Sequence, residues 1–221
     1  LIMSWIGSRR MLMGTVAYSV RADVVDIRTD LPRHDDTLLV DTNVWYWVTY
    51  SRASQASRSP SRYQVRDYPL YVKNAMAAGA RVCCCCLSFA ELAYLIENTE
   101  RDIKSVMSGS PIEPKVFRHN HPLDRQRVVS EISAAWAQVR SMSSSVEAVV
   151  NPGLINAAIT RLKTDAMDGY DILMLEASRA DGTCQILTDD GDFATVSGIR
   201  VHTSNRNVIR AARDAGKLLV R

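Results

Sequence analysis

A chain of 221 residues (24.6 kDa) with 47% hydrophobic residues suits one domain with an appendage and is too apolar to be disordered throughout. With 10 Gly and 7 Pro it is no collagen-like or linker-dominated chain, and no apolar run approaches the roughly 18 residues of a membrane helix. Its formal net charge of +3 is too small to point to a partner, so the layout of charge carries the information.

Taken in chain order, residues 1–35 read as an N-terminal extension. Their apolar start precedes Arg9 and Arg10, the reverse of a signal peptide's charge order. Leu38-Leu39-Val40 reads as a short buried strand running into Asp41-Thr42-Asn43, and Val44–Tyr50 as a helix. Residues 51–66, rich in Ser and Arg and containing Pro60, read as a loop or broken helix. Pro69 to about Ala78 follows as a helix stopped by Gly79. A second strand is expected over Arg81–Leu87. It contains Cys83, Cys84, Cys85 and Cys86. Sequence neighbours rarely satisfy disulfide geometry and the total of five Cys is odd, so the run reads as a buried strand in a reducing, cytoplasmic setting. The scattered histidines (His34, His119, His121, His202) and the lack of a second Cys pair speak against zinc.

Ser88 with Glu91 has the spacing of a helix capping box, and Leu92, Leu95 and Ile96 give that helix an apolar face. Residues 99–165 read as mostly helical, broken at Pro111 and Pro114, with an amphipathic stretch over about Leu123–Met142. Asn151-Pro152-Gly153 reads as a turn before a helix over Leu154–Leu162. An apolar helix is expected over Asp171–Ala180, a third strand over Gln185–Leu187, a fourth over Ile199–His202 and a last helix over Ser204–Ala215. Strands alternating with helices predict an α/β fold, with a mostly parallel central sheet flanked by helices in three layers.

The acids fall where such a fold binds ligands. Asp41 follows the first strand and Glu91 lies one turn into the helix after the second. Asp171 opens the apolar helix, and Asp190 and Asp192 follow the third strand. The carboxyl ends of parallel strands form the usual crevice. Carboxylates gathered there repel one another unless a cation compensates, and hard oxygen ligands suit Mg²⁺ or Mn²⁺.

Leu39-Val40-Asp41-Thr42-Asn43-Val44 resembles the opening motif of PIN-domain nucleases, and Leu87-Ser88-Phe89-Ala90-Glu91-Leu92 their second. Asp171-Ile172-Leu173-Met174 and Ile186-Leu187-Thr188-Asp189-Asp190-Gly191-Asp192-Phe193 resemble the third and fourth. The resemblance spans about residues 36–205. It implies a PIN-like nuclease domain with a helical insertion over about 99–165 and a basic C-terminal helix over 206–221. The chain is longer than the compact toxins of toxin–antitoxin pairs that it otherwise resembles. The family's activity is metal-dependent hydrolysis of phosphodiester bonds, usually in RNA. By this resemblance Asp41, Glu91, Asp171 and Asp190 would hold the metal, with Asp192 as an auxiliary acid. Asn43, Ser88 and Thr188 would support them. An antitoxin or other inhibitory protein, or a second copy of the chain, would be the partner.

Charge layout agrees with a polyanionic substrate. Arg52, Arg58, Arg62, Arg66 and Lys73 face only Asp67 in residues 50–73, and the first four are candidate phosphate contacts. Residues 200–221 are also basic. Trp45, Tyr46, Trp47 and Tyr50 are candidate base-stacking residues, although their helical spacing more often marks a core. Two rival readings remain open. One is a PIN-like module that binds RNA or protein without cutting. The other is a haloacid-dehalogenase-type phosphatase, which needs an Asp where Asn43 stands.

Overall fold

The computed structural model describes residues 17–57 and 59–221. Strand β1 (Asp23–Asp26) precedes β2 (Thr37–Val40) and α1 (Thr42–Thr49). A 3₁₀ turn (Ala53–Gln55) leads to α2 (Arg62–Ala77) and β3 (Arg81–Cys85). Helices α3 (Ser88–Ser108), α4 (Pro114–Asn120) and α5 (Pro122–Met142) run on without an intervening strand. They are followed by β4 (Ser144–Val146), α6 (Pro152–Leu162) and α7 (Gly169–Ala180). The chain then forms β5 (Gln185–Leu187), a second 3₁₀ turn (Asp192–Thr195), β6 (Arg200–Thr203), α8 (Arg206–Asp214) and β7 (Leu218–Leu219).

The strands form one sheet in the order β4-β3-β2-β5-β6-β1-β7, with every pairing parallel. Side chains alternate across it, because successive residues of a strand point to opposite faces. Val24, Leu39, Cys83, Cys85, Ile186 and Val201 face one way, onto Ile172, Met174 and Leu175 of α7 and Val208 and Ala212 of α8. Leu38, Val40, Val82, Cys84 and Leu187 face the other way, onto Trp45 of α1, Tyr68 and Tyr71 of α2, Ile96 of α3 and Val139 of α5. Two apolar layers on one sheet give the three-layer α/β architecture. The cysteine run takes part as small buried side chains: Cys83, Cys84 and Cys85 are buried, Cys86 is exposed, and none forms a disulfide. Among the described residues no helix is long and apolar enough to cross a membrane.

Several local expectations are corrected. Helix α2 begins seven residues before Pro69, which sits inside it. Proline removes the bond that its N–H would have given to the Val65 carbonyl. Val65 is exposed, so water can serve that carbonyl, while Tyr68, Tyr71 and Val72 bury the opposite face. Ser61 caps the helix, in a capping box that pairs it with Gln64. The Ser88–Glu91 box does not form: Leu87 is the residue preceding α3, and Ser88 is fully buried with its hydroxyl on Met174 Sδ at 3.6 Å. Asn151 is no turn residue but the N-cap of α6, its Oδ1 accepting from Leu154 N at 3.0 Å with Pro152 at the first helical position. Strands β1, β4 and β7 were not expected. β1 lies within the stretch read as an extension and inserts between β6 and β7.

A buried polar network closes this edge. Arg221 donates to both Asp30 (2.8 Å) and Asp36 (2.6 and 2.8 Å), and the Tyr71 hydroxyl donates to Asp30. His202 lies between Tyr71 and Gln185, 3.0 Å from each. Burial, reinforced by the Arg221 charge, pushes its imidazole down to about 3, so it is neutral.

Candidate functional site

The sheet has one reversal of strand order. From β2 the chain steps outward through β3 and β4, and on the other flank lies β5. Ligands of open parallel sheets sit in the crevice at such a point. Asp41 and Thr188 are placed there by register. Val40 pairs with Leu187, and Asp41 N–H donates to the Leu187 carbonyl at 3.0 Å, so the next residues stand side by side. The Thr188 hydroxyl donates to Asp41 Oδ2 at 2.7 Å and accepts from Asp190 N–H at 2.8 Å. Asp192 N–H in turn donates to Asp190 Oδ1 at 2.8 Å. One threonine thus fixes two carboxylates relative to each other.

Glu91 reaches the same place from the first turn of α3, and Asp171 from the first turn of α7. Asp168 caps α7, accepting from the N–H groups of Tyr170 (2.8 Å) and Asp171 (3.0 Å). Its charge is felt by Glu91, Asp171 and Asp192. The D-x-x-D spacing before an apolar helix was a legible N-cap signal. Tyr170 ties this helix start to α3 by donating to the Leu87 carbonyl.

The electrostatics are those of uncompensated acids. Burial, helped by the charges of Glu91 and Asp190, pushes Asp41 up to about 7 despite its bond from Thr188. Burial together with Asp41, Asp168, Asp190 and Glu91 pushes Asp171 up to about 9. Glu91 and Asp192 are raised by burial first and by neighbouring carboxylates second, the Thr42 hydroxyl holding Glu91 back in part. That hydroxyl falls short of hydrogen-bond geometry: Thr42 Oγ1 and Glu91 Oε2 are both buried without a partner. Helix α3 offers an internal control. Glu91 is half-buried; the buried acids of the same helix, Glu97 and Glu100, each receive two arginines: Arg118 and Arg125 for Glu97, Arg52 and Arg127 for Glu100. Among the described residues neither Glu91 nor Asp41, Asp171, Asp190 or Asp192 has any ion-pair partner. Charges taken out of water are ordinarily paired, so an unpaired set of acids with raised pKa values marks this crevice as the candidate site.

As they stand, no three His, Cys, Asp or Glu side chains among the described residues meet tightly enough to chelate one ion. The donor set nevertheless fits a hard divalent cation: its oxygens are carboxylates, and the orphaned Glu91 Oε2 is a buried acceptor lacking a donor.

The other candidates are distributed as follows. Asn43 lies in the first turn of α1, two residues past Asp41, and is half-buried. Ser88 is in the core beneath α7. Arg52 is committed to Glu100 at 2.6 Å, Arg66 pairs with Asp67, Arg62 is exposed, and Arg58 lies outside the described residues. Trp45, Tyr46 and Tyr50 are core residues; Trp47 is half-buried. Asp189 turns away from the acids and is held by Tyr63 (2.9 Å), Gln64 (2.6 Å) and Tyr68 (2.6 Å), which clamp α2 onto the loop. Tyr18 covers Gly191 so closely that a Cβ there would overlap its ring. No sequence signal announces either contact, since both join segments more than 100 residues apart.

No protein-family model and no curated protein matches the chain. Among solved structures it is similar to the VapBC2 complex from Rickettsia felis bound to a DNA fragment from their promoter. The identity is 12%, over 76% of this chain and 98% of that one, with a TM-score of 0.42.

Proposed function

We propose that this chain is a metal-dependent nuclease hydrolysing phosphodiester bonds, with RNA as its substrate. The observation that carries the reading is the group of mutually repelling carboxylates at the strand-order reversal, Asp41 buried and the others half-buried, with no ion-pair partner among the described residues, while the buried acids of α3 are matched by arginines. Asp41, Glu91, Asp171 and Asp190 would hold Mg²⁺ or Mn²⁺, with Asp192 auxiliary. Such an ion lowers the pKa of a bound water and neutralises charge developing on the phosphate.

The chain's own groups prepare that site. Thr188 holds Asp41 through Oδ2, and its second bond sets Asp190 beside it. Asp168 fixes the start of α7 and so the direction of Asp171. Without a cation Asp171 holds a proton at neutral pH, and ion binding would release it. An inhibitory protein partner would bring an arginine into the same acids, by paired hydrogen bonds of guanidinium and carboxylate.

The test is cleavage of mixed single-stranded RNA and DNA pools with Mg²⁺, Mn²⁺ or chelator, comparing wild type with Asp41→Asn and Asp171→Asn. RNA cleavage that needs metal and is lost in both variants is expected. Folded wild type that cuts nothing with either metal overturns the proposal.

A further inference from the structure

We propose, resting on the nuclease reading, that the cleft between α1 and α3 is a nucleobase subsite for single-stranded nucleic acid. Two helices leave the acid centre together. α1 starts directly after Asp41 and presents Asn43, Tyr46 and Trp47 at helical spacing. α3 carries Glu91 and then Tyr94, Asn98 and Arg101 along one stripe. Between them, closed on a third side by the loop of Ala56, Ser57, Ser59 and Pro60 and by Gln64 of α2, lies a cleft of about 670 Å³. Asn98 stands seven residues beyond Glu91, about 10 Å along the helix at 1.5 Å per residue.

The floor of the cleft is fixed. Tyr46 OH and Thr99 Oγ1 are 2.6 Å apart, joining the helices, and the Trp47 ring packs on Tyr68 at 5.3 Å. The walls are open. Tyr94 is 59% exposed, and the Asn43 and Asn98 amides have no side-chain hydrogen bond among the described residues. Arg101 lies 3.4 Å from Asp102, so their charges cancel within the lining. Among the described residues the lining combines flat aromatic rings and unspent amides with one charge of each sign. The rings and amides suit a flat, uncharged ligand with polar edges, which is a nucleobase whose phosphate lies at the carboxylate end. A base in a duplex has both faces covered, so the occupant is an unpaired one.

The experiment measures binding apart from cleavage. A fluorescently labelled 12-mer single-stranded RNA is titrated with Asp41→Asn protein in chelator, followed by anisotropy. Added Tyr94→Ala or Asn98→Ala is expected to weaken binding at least about fivefold, the low end for a stacked base. Tyr94→Phe, which keeps the ring, is expected to bind as the parent does. A duplex of the same sequence is expected to compete poorly.

Unchanged affinity in both variants assigns the cleft to some other occupant, such as a protein segment, and overturns the proposal. Equal affinity for duplex, or no binding of the single strand, does so as well. The two readings fail separately. Metal-dependent cleavage by wild type with Tyr94-independent binding sinks the subsite alone. Tyr94-dependent binding by a wild type that never cleaves sinks the nuclease alone.

Discussion

Replacing Asp41 by Asn is expected to make the metal-free protein more stable in alkali and no more stable in acid. Asp41 is 2% exposed, and its acid constant moves from 3.8 to about 7 on folding. A raised carboxylate pKa means that the folded chain binds the proton more tightly, so stability falls as pH rises from the unfolded value to the folded one. At 1.36 kcal/mol per unit, ionised Asp41 costs the fold about 4 kcal/mol at pH 8 and under about 2 kcal/mol at pH 5. Asparagine carries no charge and can still accept the Thr188 hydroxyl through Oδ1. Its buried NH₂ costs about 1–3 kcal/mol, the same at both pH values. The stability gap between variant and wild type therefore widens by about 2–3 kcal/mol from pH 5 to pH 8. For a chain of this length that is about 5–10 °C in Tm. Melts followed by circular dichroism in chelator read it directly. A gap that stays constant with pH refutes the claim that Asp41 is a strained, uncompensated acid.

Other expectations follow from the same geometry. At pH 8, millimolar Mn²⁺ should raise the Tm of wild type and leave that of Glu91→Gln plus Asp171→Asn nearly still, because a ligand stabilises only the state that binds it. Thr188→Val removes a fully buried hydroxyl that bridges Asp41 and the Asp190 amide. It should cost about 1–3 kcal/mol in chemical denaturation and lower cleavage at least tenfold. Tyr68→Phe strips Asp189, Thr203 and the Ser204 amide of one shared partner, and should lower activity and Tm together without changing the far-ultraviolet spectrum. His202 folds with its pKa lowered to about 3, so its contribution is present above the unfolded value of 6.5 and is lost as pH falls toward 3. His202→Gln should remove about 3 kcal/mol of the stability loss between pH 6.5 and 4.

The central strands were legible because each is an apolar run between polar turns. Leu38-Leu39-Val40, the cysteine run and Gln185–Leu187 announce themselves. The flanking strands were not. Ser144–Val146 is polar at two of three positions, and Leu218–Leu219 is two residues long, so pairing rather than composition makes them strands. A single acid at a strand end commonly has a structural use, as Asp189 shows, so what was legible was the recurrence of acids after successive strands, which a parallel sheet brings to one edge. The Ser88–Glu91 spacing misled because tertiary demand overrode a local rule: Ser88 is needed beneath Met174 and Glu91 among the acids. Arg52 misled for the converse reason, its partner Glu100 lying 48 residues away where no local pattern shows it. The clamp on Asp189 and the cover on Gly191 are long-range contacts, which single-sequence periodicity does not encode.

The seat of β1 also sets an order of assembly. Asp23–Asp26 is synthesised well before its sheet neighbours, Arg200–Thr203 and Leu218–Leu219. At about 5–20 residues per second, a ribosome needs on the order of 10–35 s to deliver the roughly 175 residues between them. Through that interval Val24 and Val25, both 1% exposed or less in the finished sheet, have no strand to join. The nascent chain thus carries an unpaired apolar segment while β2, β3 and β4 are already complete. Zipping β1 into place is a late event that draws its segment and the C-terminal residues shut in one stroke.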